Sequence, residues 1–187
     1  PSLSLHPEEL RKIDGVHHYE ERMLCLLMLL RLPRTHLIYV TSQPISPAII
    51  DYYLHLLPGI PVNHARQRLS LLSCYDASTV PLTQKILDRP RLMRRIRDDI
   101  PDPERAHLTC FNATRLERDL ALALGIPLYA NDPALAHLGT KTGSRQVFKE
   151  AGINLPDGFE DLRDTTDMID ALAQLKHRHP DLHRAVV

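Results

Sequence analysis

The sequence predicts an α/β fold: an open parallel sheet of four strands with helices on both faces. Three observations carry that expectation. Four short apolar runs, His36–Thr41, Arg68–Tyr75, Ala106–Phe111 and Ile126–Ala130, have the length and composition of strands covered on both sides. Segments with helical spacing lie between them, and Pro, Gly and capping residues punctuate the junctions. Strands and helices alternating at this spacing imply parallel pairing through right-handed crossovers.

The elements follow in order. Residues 1–17 read as an irregular arm, because Pro1, Pro7, Asp14 and Gly15 interrupt any period. Tyr19 to Leu32 reads as a helix: it lacks β-branched residues, carries Glu20 and Glu21 at its positive end and Arg31 at its negative end, and stops before Pro33. Being apolar on nearly all sides, it is expected to be buried. After the first strand, Ser46 and Pro47 suit the N-cap and first position of a helix whose stripe is Ile49, Ile50, Tyr53, Leu54 and Leu57, closed by Pro58-Gly59. The second strand leads to a helical region in two pieces, Leu82–Leu87 and Arg91–Ile100, with Leu92, Ile96 and Ile100 on one face. Thr114 and Glu117 form a capping box for a helix ending at Gly125. Asp132-Pro133 starts a short helix that Gly139 ends. Beyond it the rhythm changes: a helix over Thr142–Ala151 capped by Gly152, a turn at Pro156-Asp157-Gly158, and a helix from about Thr166 to Arg178 broken by His179-Pro180. Arg184 to Val187 reads as the start of a strand.

Composition narrows the function classes. Over 187 residues Lys+Arg and Asp+Glu are both 23, so net charge favours neither nucleic acid nor an anionic membrane as a partner. The longest apolar run, Met23 to Leu30, falls far short of the ~20 residues of a membrane span. No signal peptide opens the sequence, and its 3 cysteines form no CxxC pair, which favours a reducing, cytoplasmic compartment.

In an open parallel sheet, ligands bind at the carboxyl ends of the strands. Those ends here are Thr41-Ser42-Gln43, Tyr75-Asp76, Phe111-Asn112 and Asn131-Asp132. Turn and cap preferences account for many of these polar residues, Asp132 before Pro133 most clearly. Gln43 is the least explained that way, and Gln43, Asp76 and Asn112 are the candidate substrate-binding residues. The first βα turn, TSQPISP, contains no glycine, which excludes a GxGxxG dinucleotide fingerprint and a Walker A loop. His17-His18 and the other histidines have no partner at metal-ligand spacing, so no metal site is assigned. Arg91, Arg94, Arg95 and Arg97 are followed at once by Asp98, Asp99 and Asp102, as on a solvated helix face. Cys74 and Cys110 lie near strand ends with no base beside them, the usual setting of a buried structural thiol. No catalytic residue is assigned.

The stretch from Gly139 to Gly158, with its Gly139-Thr140-Lys141 turn, its Ala151-Gly152-Ile153 helix end and its Pro156 and Gly158, resembles the opening of an ATP-grasp domain. The preceding Leu124-Gly125-Ile126-Pro127-Leu128-Tyr129 and short helix fit the same order. YVTSQPI (Tyr39–Ile45), LLSCYDAS (Leu71–Ser78), LTCFN (Leu108–Asn112) and GTKTGSR (Gly139–Arg145) resemble the actinobacterial peptide ligases of the pheganomycin type. The resemblance implies a Rossmann-like pre-ATP-grasp domain over residues 18–138, after an arm over 1–17, and a truncated start of the ATP-grasp domain over 139–187. It implies a parent enzyme that activates a small-molecule or peptide carboxylate as an acyl phosphate, using ATP and Mg²⁺, for attack by an amine substrate. Lys141 inherits the ATP phosphate contact of the Gly-x-Lys lysine. The metal-binding acids and the second phosphate-binding lysine of such enzymes lie further along, so this chain alone is expected to bind nucleotide weakly and to be inactive. The alternative left open is a non-catalytic binding or homodimerisation module with a Rossmann-like fold, its leucine-rich helix serving as the interface.

Overall fold

A computed structural model gives the structure of residue 12 and residues 14–186, in two compact units, Pro1–Pro133 and Ala134–Val187. Most of the expected N-terminal arm lies outside the described residues. In the first unit, strands β1 (Leu37–Thr41) and β2 (Leu69–Ser73) pair in parallel, with Leu37 opposite Leu69 and Thr41 opposite Ser73. Successive side chains of a strand point to opposite faces. Tyr39 therefore enters one core, with Leu24, Leu27, Leu30, Ile50, Leu54, Leu57 and Ala65. Ile38 and Val40 lie against the other, where Leu72 and Cys74 join Leu82, Ile86, Met93, Ile96, Leu120, Leu124 and Ile126. Apolar residues cover both faces, as the strand composition implied.

The sheet itself is smaller than expected. Among the described residues it has two strands, not four. The runs expected as third and fourth strands meet in a single parallel bridge, Leu108 opposite Leu128, where Leu108 N–H donates to Pro127 O (2.8 Å) and Tyr129 N–H to Leu108 O (2.8 Å). Pro127 has no N–H and interrupts the ladder of so short a segment. A cavity of about 740 Å³ is lined by His36–Val40 on one side and by Arg105–Cys110 on another, where a continuous sheet would have paired them.

The leading helix differs too. Val16–Arg31 winds as a 3₁₀ helix, three residues to the turn. Leu24, Leu27 and Leu30 recur at that period and are fully buried, whereas Met28, Leu29 and Leu32 are exposed. The expectation of burial on all sides is thus corrected to one buried stripe. Helix α1 (Pro47–His55) begins with Pro47 in its first turn and follows Ser46, which caps it without a side-chain hydrogen bond. A short α2 (Val62–Arg66) had no clear sequence signal. The two-piece region is α3 (Leu82–Leu87) and α4 (Pro90–Asp98). Helix α5 (Arg115–Leu124) carries the expected capping box and ends at Gly125 in the left-handed region, φ 73°. The box acid is buried: Glu117 accepts from Thr114 N–H (2.9 Å) and also from Thr83 Oγ1 (2.6 Å), joining α5 to α3.

The second unit holds a 3₁₀ turn (Pro133–Gly139, which begins at the last residue of the first unit), α6 (Lys141–Glu150) and α7 (Thr165–Arg178). The residues before Val187 form no strand, correcting that expectation. Ion pairs hold its turn: Glu160 accepts from Arg145 Nε (2.7 Å) and Lys149 Nζ (2.8 Å), and Asp157 from Arg178 (2.9 Å) and His179 (3.0 Å).

Leu54 is fully buried between the leading helix and β1. Leu54→Ala is therefore expected to cost about 2–5 kcal/mol, read as a lower urea midpoint with an unchanged slope. A loss within ~0.5 kcal/mol, the range of surface substitutions, would mean that this cluster does not hold the unit together.

Candidate functional site

The carboxyl ends of β1 and β2 are tied together by a buried polar network. Glu20, on the leading helix, accepts from the Ser42 backbone N–H and from Ser42 Oγ (2.6 Å). Lys85, on α3, donates to Ser42 Oγ (2.9 Å), Asp76 O (2.8 Å) and Ser78 O (2.7 Å). All three of its N–H donors are thus matched, as burial demands. Arg89 donates to Asp76 Oδ2 (2.7 Å), and Ser78 N–H to Asp76 Oδ1 (2.9 Å). Hydrogen bonding from Ser78, with the Arg89 guanidinium next, holds the Asp76 carboxyl well below the usual carboxylate range.

Two of the three sequence candidates meet here. Oriented to satisfy its hydrogen bonds, the Gln43 amide oxygen accepts from the backbone N–H groups of Asp76 (3.0 Å) and Ala77 (2.9 Å). Gln43 therefore holds the 75–78 turn. Tyr75, in that turn, adopts φ 52°, a left-handed conformation uncommon for a non-glycine residue, with its ring exposed. Asn112 makes no side-chain hydrogen bond to either of the other two, or to any other described residue. It follows Phe111, whose ring lies under the Arg22 guanidinium at 4.7 Å.

Glu20, Lys85, Arg89 and Arg22 escaped the sequence reading. Lys85 carried a legible signal: it falls three residues after Leu82 and next to Ile86, on the apolar side of a short helix. Glu20 looked like an ordinary acid at a helix start. Cys25 is exposed, Cys74 buried and Cys110 half-buried. Burial pushes the Cys74 thiol up to about 11 and the Cys110 thiol above its ordinary value.

In the second unit Lys141 is the first residue of α6, exposed. Thr140 shapes the turn, accepting from Gly143 N–H (2.9 Å) and donating to His137 O (2.8 Å). Gly143 is buried, and a Cβ there would collide with the His137 carbonyl, so the turn admits only glycine at this point. Arg145 and Lys149 are engaged with Glu160, whereas the Lys141 ammonium has no partner among the described residues, its carbonyl accepting from Ser144 Oγ (3.1 Å). Among the described residues no three His, Cys, Asp or Glu side chains gather to hold a metal ion. No helix there is long and apolar enough to cross a membrane.

A family model described as IQCH-like, ATP-grasp matches residues 133–187. L-propargylglycine–L-glutamate ligase of Streptantibioticus cattleyicolor is 27% identical over 185 residues, covering 95% of this chain and 38% of that protein. IQ motif-containing protein H of Danio rerio is 26% identical over 202 residues, covering 98% of this chain and 19% of that protein. The chain thus spans well under half the length of these relatives. No solved structure matches it. The resemblance to the ATP-grasp superfamily, and to ligases of the pheganomycin type, stands on these matches.

Asp76 yields a pH prediction. A carboxyl depressed on folding contributes stability above its unfolded pKa of about 3.9, and loses it as pH falls toward the folded value. Asp76→Asn should lower stability at pH 7 by about 1–3 kcal/mol, and the gap to the native protein should narrow from pH 5 downward in urea unfolding. A gap of constant size across that range would remove the Asp76 charge from the account.

Proposed function

We propose that this chain is the N-terminal part of an ATP-dependent carboxylate–amine ligase acting in the cytoplasm. Residues 18–138 serve as its pre-ATP-grasp domain and residues 139–187 as the opening of its ATP-grasp domain. The observation that carries this reading is the coincidence of the ATP-grasp family match over 133–187 with a capped helix start at Thr140-Lys141. ATP with Mg²⁺ would supply the phosphoryl group that converts a carboxylate into an acyl phosphate, open to displacement by an amine.

Lys141 fits the phosphate-binding role. It is a point cation at a helix start, where unpaired backbone N–H groups already favour an anion. Gly143 lets the chain pack closely beneath that turn. In the first unit Gln43 and Asp76 frame the turn at the strand ends, and Asn112 has an amide free for a substrate. The described residues include no acidic set suited to Mg²⁺, so metal binding is assigned to other parts of the parent. The activity of the S. cattleyicolor relative supports a small amino-acid-like acid and amine as the substrate class. This chain alone is expected to be inactive.

A second reading, a non-catalytic dimerisation module, is favoured by the exposed Met28 and Leu29 on the leading helix and Leu32 just after it. A stable dimer by light scattering, with no nucleotide affinity in the parent, would establish it instead.

In the parent, Lys141→Ala should lower Mg-ATP affinity without unfolding the protein. Loss of one charge-assisted phosphate contact costs about 1.5–3 kcal/mol, or roughly 10- to 150-fold. Calorimetric titration reads this directly, and an unaltered affinity makes Lys141 an ordinary surface lysine.

A further inference from the structure

Arg22, two residues after Glu20 on the leading helix, has a use that the ligase reading leaves unassigned. The 3₁₀ winding places residues three apart above one another, so Arg22 sits over Tyr19, its Cζ 5.0 Å from the ring centroid. The same carbon lies 4.7 Å from the centroid of Phe111. Two rings thus engage the guanidinium, which narrows its rotamer freedom while leaving its N–H fork unspent. That fork makes no hydrogen bond or ion pair with any described residue. The neighbouring acids are committed elsewhere: Glu20 to Ser42, and Glu21 to His18 (2.8 Å). Phe111 is 46% exposed, an aromatic ring held at the surface under a cation.

The position is as informative as the stacking. Glu20, two residues before Arg22, is bonded to Ser42 at the carboxyl end of β1. Phe111 directly precedes Asn112, whose half-buried amide is also without a hydrogen-bond partner among the described residues. A fixed, planar five-donor fork is complementary to a planar oxyanion with two acceptor atoms.

We propose that Arg22, stacked on Tyr19 and Phe111, is a carboxylate-binding site that holds a free carboxylate of the small amino-acid-like or peptide substrate. The choice of carboxylate over phosphate rests on the ligase reading. Arg22 is a substrate-positioning residue, distinct from the phosphate-binding lysine of the second unit.

The test uses the full-length parent labelled with ¹⁵N at arginine. The Arg22 Nε–H signal, assigned by its disappearance in Arg22→Lys, is followed during titration with sodium acetate, inorganic phosphate, and sodium chloride at matched ionic strength. The expected result is a ring-shifted signal in the free protein that moves saturably with acetate and not with chloride. Arg22→Lys keeps the charge but loses the fork, and should weaken acetate binding, read in the variants by calorimetric titration, roughly tenfold or more. Phe111→Leu should weaken it by a smaller factor, with Arg22 in place. The absence of saturation, tighter binding of phosphate than of acetate, or equal affinity in both variants would overturn the proposal. Because Mg-ATP titration of Lys141→Ala reads a different ligand, its failure would be separable from failure here.

Discussion

The first unit depends on one buried arrangement: a carboxylate and an ammonium that share a single serine hydroxyl. Glu20, Ser42 and Lys85 are 7%, 2% and 2% exposed, and Ser42 Oγ donates to one charge while accepting from the other. Burying such charges is costly, and only near-complete hydrogen bonding offsets it. Here the remaining valences are met by the Ser42 N–H and by two backbone carbonyls of the following turn. Removal of either charge would strand the other, so the arrangement fixes three elements at once: the leading helix, the end of β1, and α3. A non-polar substitute could match the packing, but it could not also hold the carbonyls of residues 76 and 78 in place.

That constraint gives the strand ends their geometry. Lys85 pulls the 76–78 backbone inward, Gln43 bonds the N–H groups on its other side, and Arg89 fixes the Asp76 carboxylate. The turn is thus held from three directions, which is what allows Tyr75 to persist at φ 52° with an exposed ring. Preorganisation of this kind is useful to a binding edge, because a substrate meeting it need not order the loop. It also separates the roles of the candidates. Gln43 and Asp76 are mainly spent on the scaffold, while Arg22 and Asn112 retain unused donors.

Legibility in the sequence followed the strength of local signals. The first two strands were readable because Leu37–Thr41 and Leu69–Ser73 are short apolar runs bounded by helices. The Thr114–Glu117 box and the Gly125 cap were readable because side-chain chemistry alone dictates them. Ala106–Phe111 and Ile126–Ala130 carried the same apolar signal, yet Pro127 limits them to one bridge, an effect that composition does not register. A leucine-rich run specifies a helix but not its winding, and only the three-residue recurrence of Leu24, Leu27 and Leu30 distinguishes 3₁₀ from α. At the strand ends, Gln43 and Asp76 were visible as polar residues after strands. Glu20 and Arg22 were not, because a charged residue on a helix reads as solvated until long-range packing gives it a partner.

The second unit obeys a different balance. Gly143 and Ala171 are buried there, while Val147, Phe148, Ile153, Ile169 and Leu172 are exposed. So little apolar burial contributes little to holding helices in place. The ordering comes instead from the Glu160 and Asp157 ion pairs, from Arg178 stacked 4.6 Å from the Phe159 ring, and from the Thr140 cap. The Arg178–Asp157 pair is exposed, worth little and weakened by salt, while Arg145–Glu160 is partly buried. The unit is therefore poorly equipped to hold its shape on its own contacts, and its apolar surface calls for cover. Both features agree with the proposed reading of this segment as the opening of an ATP-grasp domain. In that setting the Lys141 turn is rigid at its base, through Gly143, and open at its tip.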